Sequence, residues 1–325
     1  MPAEERPLFL INALWRTGST YIWKKFRDHG AYHCYYEPFH ESLSAFTREA
    51  GQNDLVCDTP ALLRHPPLDR PYLDEYPCRR SGGAELYSKW MAYEQYCLDE
   101  RQSNPALHAY VQHLIDHAAG LGKTALLQPN RALLRSRWLC ANFPFVHVFL
   151  TRNRWDVWRS MQSFENLYFI SMILCIISQN QRHPLFQPLV AAAPICYFRD
   201  EDPAREADYF QKSANELGSR AFIYFSYFYT LTTAYNAAFA DLVIDMDRLS
   251  GDRSYQSEVE RRFAAYGANL DFSDCRLPRH PAPLDMRRDV LQEANQMDEL
   301  ARTVCRSDDT LRLAPHVNAP LRVAR

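Results

Sequence analysis

The sequence predicts an α/β fold, a parallel β-sheet flanked by helices. Two observations predict it. Apolar runs of strand length alternate along the chain with segments whose apolar residues recur every three or four positions. Polar loops sit where each run ends, as they do at the carboxyl edge of a sheet whose strands are joined by helical crossovers. The chain has 325 residues and is 47% hydrophobic, enough to bury a large core, and is read as one domain over 1–325.

The first strand is the apolar run at 7–14. The loop Arg16 to Thr20 follows, and then a helix with Ile22 and Phe26 four apart on one face and Gly30 as its stop. Residues 31–36 are rich in β-formers and make a second strand. Pro38 keeps Glu37 extended at that strand's end. Residues 51–83 carry many Pro, Asp and Arg and a Gly82-Gly83 pair, and read as an irregular lid or substrate loop. Leu107, Val111, Leu114, Ile115 and Ala118 mark a helix over 104–119, closed by Gly120 and Gly122. A third strand over 123–128 stops at Pro129, and Leu133, Leu134, Trp138 and Leu139 suggest a helix. The fourth strand is 145–151. Asn153 then caps a helix, with Asp156 three residues on, in a capping-box-like arrangement. Residues 181–215 are polar and Pro-containing and read as a second insertion, a lid or substrate loop. Residues 221–240 form a buried helix and 241–246 a fifth strand. The rest is helical until the pattern fades after Pro281.

Composition narrows the function. The net charge of -2 gives no basic surface for nucleic acid, so none is expected as a partner. The apolar run Phe169 to Ile177 is too short to span a bilayer, and Glu4 and Glu5 precede the first strand without a signal-peptide pattern. The cysteines are scattered with no Cys-x-x-Cys, and read as reduced, mostly buried thiols of a cytoplasmic protein.

The chemistry concentrates at strand ends. A strand feeding a helix through Arg16-Thr17-Gly18-Ser19-Thr20 aims backbone N–H groups and the positive helix end at one spot, which suits a phosphate. Gly18 admits close approach, Ser19 and Thr20 add hydroxyls, and Arg16 adds a cation. An ordinary strand–helix turn is the alternative. The loop is not a Walker A motif, since no Lys follows its glycine. A second cluster reads Arg152-Asn153-Arg154-Trp155-Asp156-Val157-Trp158-Arg159-Ser160. His113 and His117 are four apart on a helix, but no third metal ligand is indicated.

Together the two loops resemble the sulfotransferase family, P-loop-like enzymes that use 3′-phosphoadenosine 5′-phosphosulfate. The resemblance covers the first 40 residues, the region 123–165 and loosely the strand near 245. It implies a P-loop NTPase-like sulfotransferase fold and that nucleotide as donor, with no metal. Arg16, Thr17, Gly18, Ser19 and Thr20 would hold the 5′-phosphosulfate, and Arg152 and Ser160 the 3′-phosphate. Tyr21 would stack on adenine or pack in the core. Glu37-Pro38 resembles the Glu-Pro after the second strand of carbohydrate sulfotransferases, which makes Glu37 the general base beside Arg16, with His40 and Glu41 in reserve. The implied acceptor is a small molecule or glycan hydroxyl, on a carbohydrate or glycolipid; a phenolic or tyrosyl hydroxyl is the alternative, and the aromatic and apolar stretches at 164–177 and 222–229 would either wall a hydrophobic acceptor or pack in the core. The family's Gly-rich C-terminal motif is absent, and Met246-Asp247-Arg248-Leu249 replaces its Tyr-Glu-Asp-Leu. That leaves the remaining nucleotide contacts unassigned, with Arg131 a candidate. A P-loop kinase and a non-catalytic nucleotide-binding protein are the competing classes.

Overall fold

The structure, a computed structural model, describes residues 6–46, 70–163, 167–278 and 286–307. β1 (Leu8–Ala13), β2 (Tyr32–Tyr36), β3 (Thr124–Gln128), β4 (Phe145–Thr151) and β5 (Leu242–Asp245) form a 5-stranded sheet in the order β2-β3-β1-β4-β5. Every pairing is parallel. The central strand β1 is apolar at nearly every position and buried, as expected for a strand covered on both faces.

The helices are α1 (Ser19–His29), α2 (Pro105–Gly120), α3 (Ser136–Asn142), α4 (Arg154–Gln162), α5 (Tyr168–Gln179), α6 (Gln187–Ala192), α7 (Pro203–Leu217), α8 (Ala221–Ala237), α9 (Met246–Gly251), α10 (Arg253–Ala265) and α11 (Arg288–Ser307). Side-chain alternation assigns them to faces. Phe9 of β1 packs on Phe26 of α1 and Phe263 of α10. The next residue along, Leu10, is in register with His147 of β4 and Leu127 of β3. On that face His147 stacks on Phe239, just past α8, and Tyr35 of β2 donates its hydroxyl to the Leu114 carbonyl of α2. A second apolar core joins α4–α8 and α11 to Phe149 of β4, Leu14 and Trp15 after β1, and Tyr93 and Tyr96 of the 70–98 segment.

Capping follows the sequence. Gly30 ends α1 at φ 78°, and its N–H bonds the Arg27 carbonyl. Asn153 caps α4, its side chain accepting from the N–H groups of Trp155 (2.9 Å) and Asp156 (3.4 Å).

One expectation changes and two readings gain detail. Residues 181–215, read as an insertion, hold α6 and α7, whose Leu189, Phe210 and Ala214 are buried in the second core. The pattern does not end after Pro281, because α11 buries Val290, Leu291, Ala294, Met297, Ala301 and Cys305 on one face. The apolar run at 169–177 lies within α5. Of the proposed insertion at 51–83, residues 51–69 fall outside the described residues. The part from 70 onward is tied to α1: Arg27 donates to both carboxylate oxygens of Glu75 (2.7 and 3.1 Å) and to the carbonyls of Arg70 and Pro71 (3.0 and 2.7 Å).

Cys34, Cys97, Cys175 and Cys275 are buried thiols; Cys57 lies outside the described residues. Among the described residues no helix is long and apolar enough to cross a membrane. His113 pairs with Glu85 (3.0 Å) and His117 Nδ1 with the Tyr35 hydroxyl (2.9 Å), so each histidine already has a partner other than a metal ion.

Candidate functional site

The chain leaving β1 turns toward β2, and the chain leaving β4 turns toward β5. These neighbouring strands therefore send their loops in opposite directions and leave a crevice at the carboxyl edge, where ligands of open α/β sheets bind. A cavity of about 590 Å³ lies there. Arg16, Gly18, Ser19, Thr20 and Tyr21 line it from the first loop, Glu37 and His40 from the end of β2, and Arg152 and Ser160 from the β4–α4 junction. Thr17, expected in the same set, is buried and is not among the lining residues; its N–H bonds the Leu14 carbonyl (3.3 Å).

The first loop is built for close approach. Gly18 sits at φ 104°, a conformation an L side chain rarely adopts, and a Cβ there would meet Met246 Cε at 3.0 Å. Ser19 begins α1, whose first N–H groups have no acceptors within the helix. The first turn of α1 contains no acidic residue, so the positive end of its dipole is uncompensated. The backbone holds Arg16 at φ 68° and Glu37 at φ 49°, so Glu37 is left-handed and not extended as the following proline led one to expect; its N–H is held by the Gln128 carbonyl (2.9 Å) and its carbonyl accepts the His40 N–H (2.9 Å). Non-glycine residues at positive φ are strained and cluster at ligand sites.

The two sequence clusters meet. Arg16 donates from Nε to Ser160 Oγ at 2.9 Å, across a separation of 144 residues. Arg152 donates to the Arg16 carbonyl (3.0 Å) and to the Pro278 carbonyl, and lies 3.6 Å from Asp247. It ties the first loop, the start of α9 and the segment after α10 together. Burial lowers its affinity for its proton, and Asp247 opposes that shift. Thr20 shares a hydrogen bond with the Tyr36 hydroxyl (3.1 Å). Tyr21 donates to Asp274 (2.6 Å), which also pairs with Lys25 (2.7 Å). Tyr21 therefore lines the cavity, fixed by a carboxylate, while its ring also packs against the core beside Phe272.

A cluster of charges fills the Glu37 side. Arg131, 1% exposed, lies on the turn after β3 with Nη1 3.3 Å from Glu37 Oε2 and Nε 3.0 Å from Glu41 Oε2. Glu37 also accepts the Asn130 N–H (3.2 Å). Burial pushes the Glu37 carboxyl above its ordinary value, with Arg131 pulling the other way. Burial would raise Glu41 too, but Arg131 and then His40 outweigh it and hold that carboxyl at about 2. Burial, then Arg131, lowers His40 to about 4, so its imidazole is neutral near neutral pH. Arg135 fixes the turn by donating to the Arg131 carbonyl (2.7 Å) and the Gln95 carbonyl (2.9 Å).

The sequence marked 51–83 as a lid or substrate loop and 164–177 as acceptor wall or core, but singled out no lining residue in either. Tyr72 and Leu73 enter from the segment that Arg27 secures, and Tyr168, Phe169 and Met172 from α5. Asp274, Arg276, Leu277 and Pro278 close the far side. The aromatic run at 222–229 belongs to α8 and does not line the cavity. Arg16, Arg131, Arg152 and Arg276 outnumber the lining carboxylates Glu37 and Asp274, so the site favours an anion. The cavity thus joins an anion-binding helix start to a buried carboxylate and an aromatic wall. No family model, curated protein or solved structure matches the chain.

Proposed function

We propose that the chain is a sulfotransferase that moves a sulfuryl group from 3′-phosphoadenosine 5′-phosphosulfate to an acceptor hydroxyl, on a carbohydrate or glycolipid. One observation carries the reading: the Arg16 loop and Ser160 converge on a cavity that also contains the Glu37 carboxylate. The donor has anionic groups at both ends of its ribose. The helix start at Ser19 and Thr20, with Arg16, fits the 5′-phosphosulfate. Arg152 and Ser160 fit the 3′-phosphate, and Tyr21 is positioned to meet the base.

In the proposed step Glu37 removes the proton from the acceptor hydroxyl as its oxygen bonds to sulfur. The sulfur–oxygen bond to the 5′-phosphate breaks, and its electron pair stays on the departing 3′,5′-adenosine bisphosphate. Arg16, the loop N–H groups and the hydroxyls of Ser19 and Thr20 stabilise the charge gathering on that phosphate. Glu37 suits the base role better than its neighbours. Glu41 is bound to Arg131 through both oxygens and is a weak base at about 2. His40 is a weak base too, at about 4.

The wall favours a second reading of the acceptor. Tyr36, Tyr72, Tyr168 and Phe169 present aromatic surface close to Glu37 along the same cavity, which suits a phenolic or tyrosyl ring as well as the face of a sugar. Turnover of labelled donor against alcohol and phenol acceptors tests both. Transfer to neither class removes the proposal, and hydrolysis of ATP with Mg²⁺ would point to phosphoryl transfer instead.

A further inference from the structure

Arg131 has a position the reaction alone does not require. It is almost fully buried, flanked by the rings of Trp15 (5.6 Å) and Tyr93 (5.7 Å), and touches Met172 Sδ at 3.0 Å. Its guanidinium is divided between a carboxylate that lines the cavity, Glu37, and one that does not, Glu41. We propose that Arg131 is the positioning residue that keeps Glu37 an ionised carboxylate facing the cavity, and that Glu41 sets how much of its charge Glu37 receives. The inference rests on the proposed reaction for its consequence, but not for its geometry.

The physical reason is the cost of burying charge. An isolated buried carboxylate neutralises instead of staying ionised. A protonated Glu37 could not accept the acceptor's proton. Arg131 supplies the opposing charge, and its planar fork holds the carboxylate with the Asn130 N–H. Glu41 competes for the same cation and repels Glu37. The other titratable groups around Glu37 are His40 on the turn after β2, Tyr36 on β2, Tyr76, Tyr87 and Tyr96 on the 70–98 segment, and Tyr168 on α5. Burial raises all five phenols, so they stay neutral in the acid range, and His40 is neutral above about 4.

The two partners therefore have opposite signs. Arg131→Met shifts the titration of Glu37 to higher pH. Glu41→Gln releases the guanidinium to Glu37 and shifts it to lower pH. A purely structural role would lower activity in both variants without moving either curve. The first readout is an infrared titration of the protonated carboxyl band, assigned by its absence in Glu37→Gln, on full-length protein without substrate. The second is the acid limb of kcat/KM. Arg131→Met is expected to move both upward by about one pH unit or more, a tenfold loss at fixed pH on the limb that is recovered at higher pH. Arg131→Lys should fall between it and the native chain.

If Arg131→Met does not fold, Glu41→Gln decides: an unchanged or upward-shifted Glu37 titration overturns the proposal. A loss of adenosine bisphosphate binding in Arg131→Lys with Glu37 unmoved would assign Arg131 to the nucleotide and overturn it as well. If the infrared shifts appear but no acceptor is ever turned over, the reaction fails and the charge assignment stands.

Discussion

Glu37→Gln separates chemistry from structure. The substitution keeps shape and removes the proton acceptor. A positioned general base contributes about 10²–10⁴-fold, or about 2.7–5.4 kcal/mol of barrier at 1.36 per factor of ten. Stability should change far less. Arg131 would remain paired with Glu41 at 3.0 Å, so no buried charge is left without a partner and the about 3–5 kcal/mol cost of a broken pair does not arise. The amide can still accept the Asn130 N–H, so the remaining change is about 1 kcal/mol. The pH dependence has a definite sign. The carboxyl is raised by burial, so the folded chain keeps its proton to higher pH than the unfolded chain, whose Glu titrates near about 4.3. Native stability therefore declines as pH rises from that value through the raised one. Glutamine removes this decline, so the variant gains on the native chain across that window. Urea unfolding at a series of pH values, beside single-turnover transfer of labelled sulfuryl, measures both. Turnover within about threefold of native, or a variant that loses stability relative to the native chain as pH rises, would refute the reasoning.

Three further outcomes are expected. Arg152→Ala should weaken 3′,5′-adenosine bisphosphate much more than adenosine 5′-phosphate in calorimetry, and should loosen the first loop, because Arg152 holds the Arg16 and Pro278 carbonyls; equal losses would take Arg152 off the 3′-phosphate. Gly18→Ala should cost about 1–3 kcal/mol in denaturant unfolding through positive-φ strain and the Met246 contact, and should weaken nucleotide binding; normal binding would detach that turn from the ligand. His147→Phe should make the fold less acid-sensitive: burial lowers His147 to about 3 and neither ring nitrogen has a hydrogen bond, so the native fold loses stability as pH falls from about 6.5 toward that value. Thermal unfolding at acid and neutral pH checks it, and an unchanged acid loss would place the acid-sensitive group elsewhere.

The sheet was legible because each strand is an apolar run with a polar loop at its end. All five predicted strands are present and paired in parallel. The placement of Arg16, Glu37 and Arg152 at strand ends, and of Ser160 in the helix after β4, followed from the same pattern. Helix α11 was not legible, because much of its buried face is Ala and Cys, which carry a weak apolar signal. Nor was α5, whose uniform apolar run lacks the polar positions that reveal a 3.6-residue period. Tyr72 and Leu73 reach the cavity only because Arg27 grips Glu75, 48 residues away, a contact that no local pattern encodes. Arg131 stood out only as a candidate nucleotide contact and Arg135 not at all, since their burial depends on the packing of α5 and the 70–98 segment.

The central claim is that one cavity holds a nucleotide phosphorylated at both ends of its ribose. Calorimetric titration with 3′,5′-adenosine bisphosphate, against adenosine 5′-phosphate and against ATP with and without Mg²⁺, measures it directly. Saturable one-to-one binding of the bisphosphate, independent of Mg²⁺ and tighter than either competitor, is the predicted result. Preference for ATP with Mg²⁺, or no discrimination for the 3′-phosphate, would contradict the account.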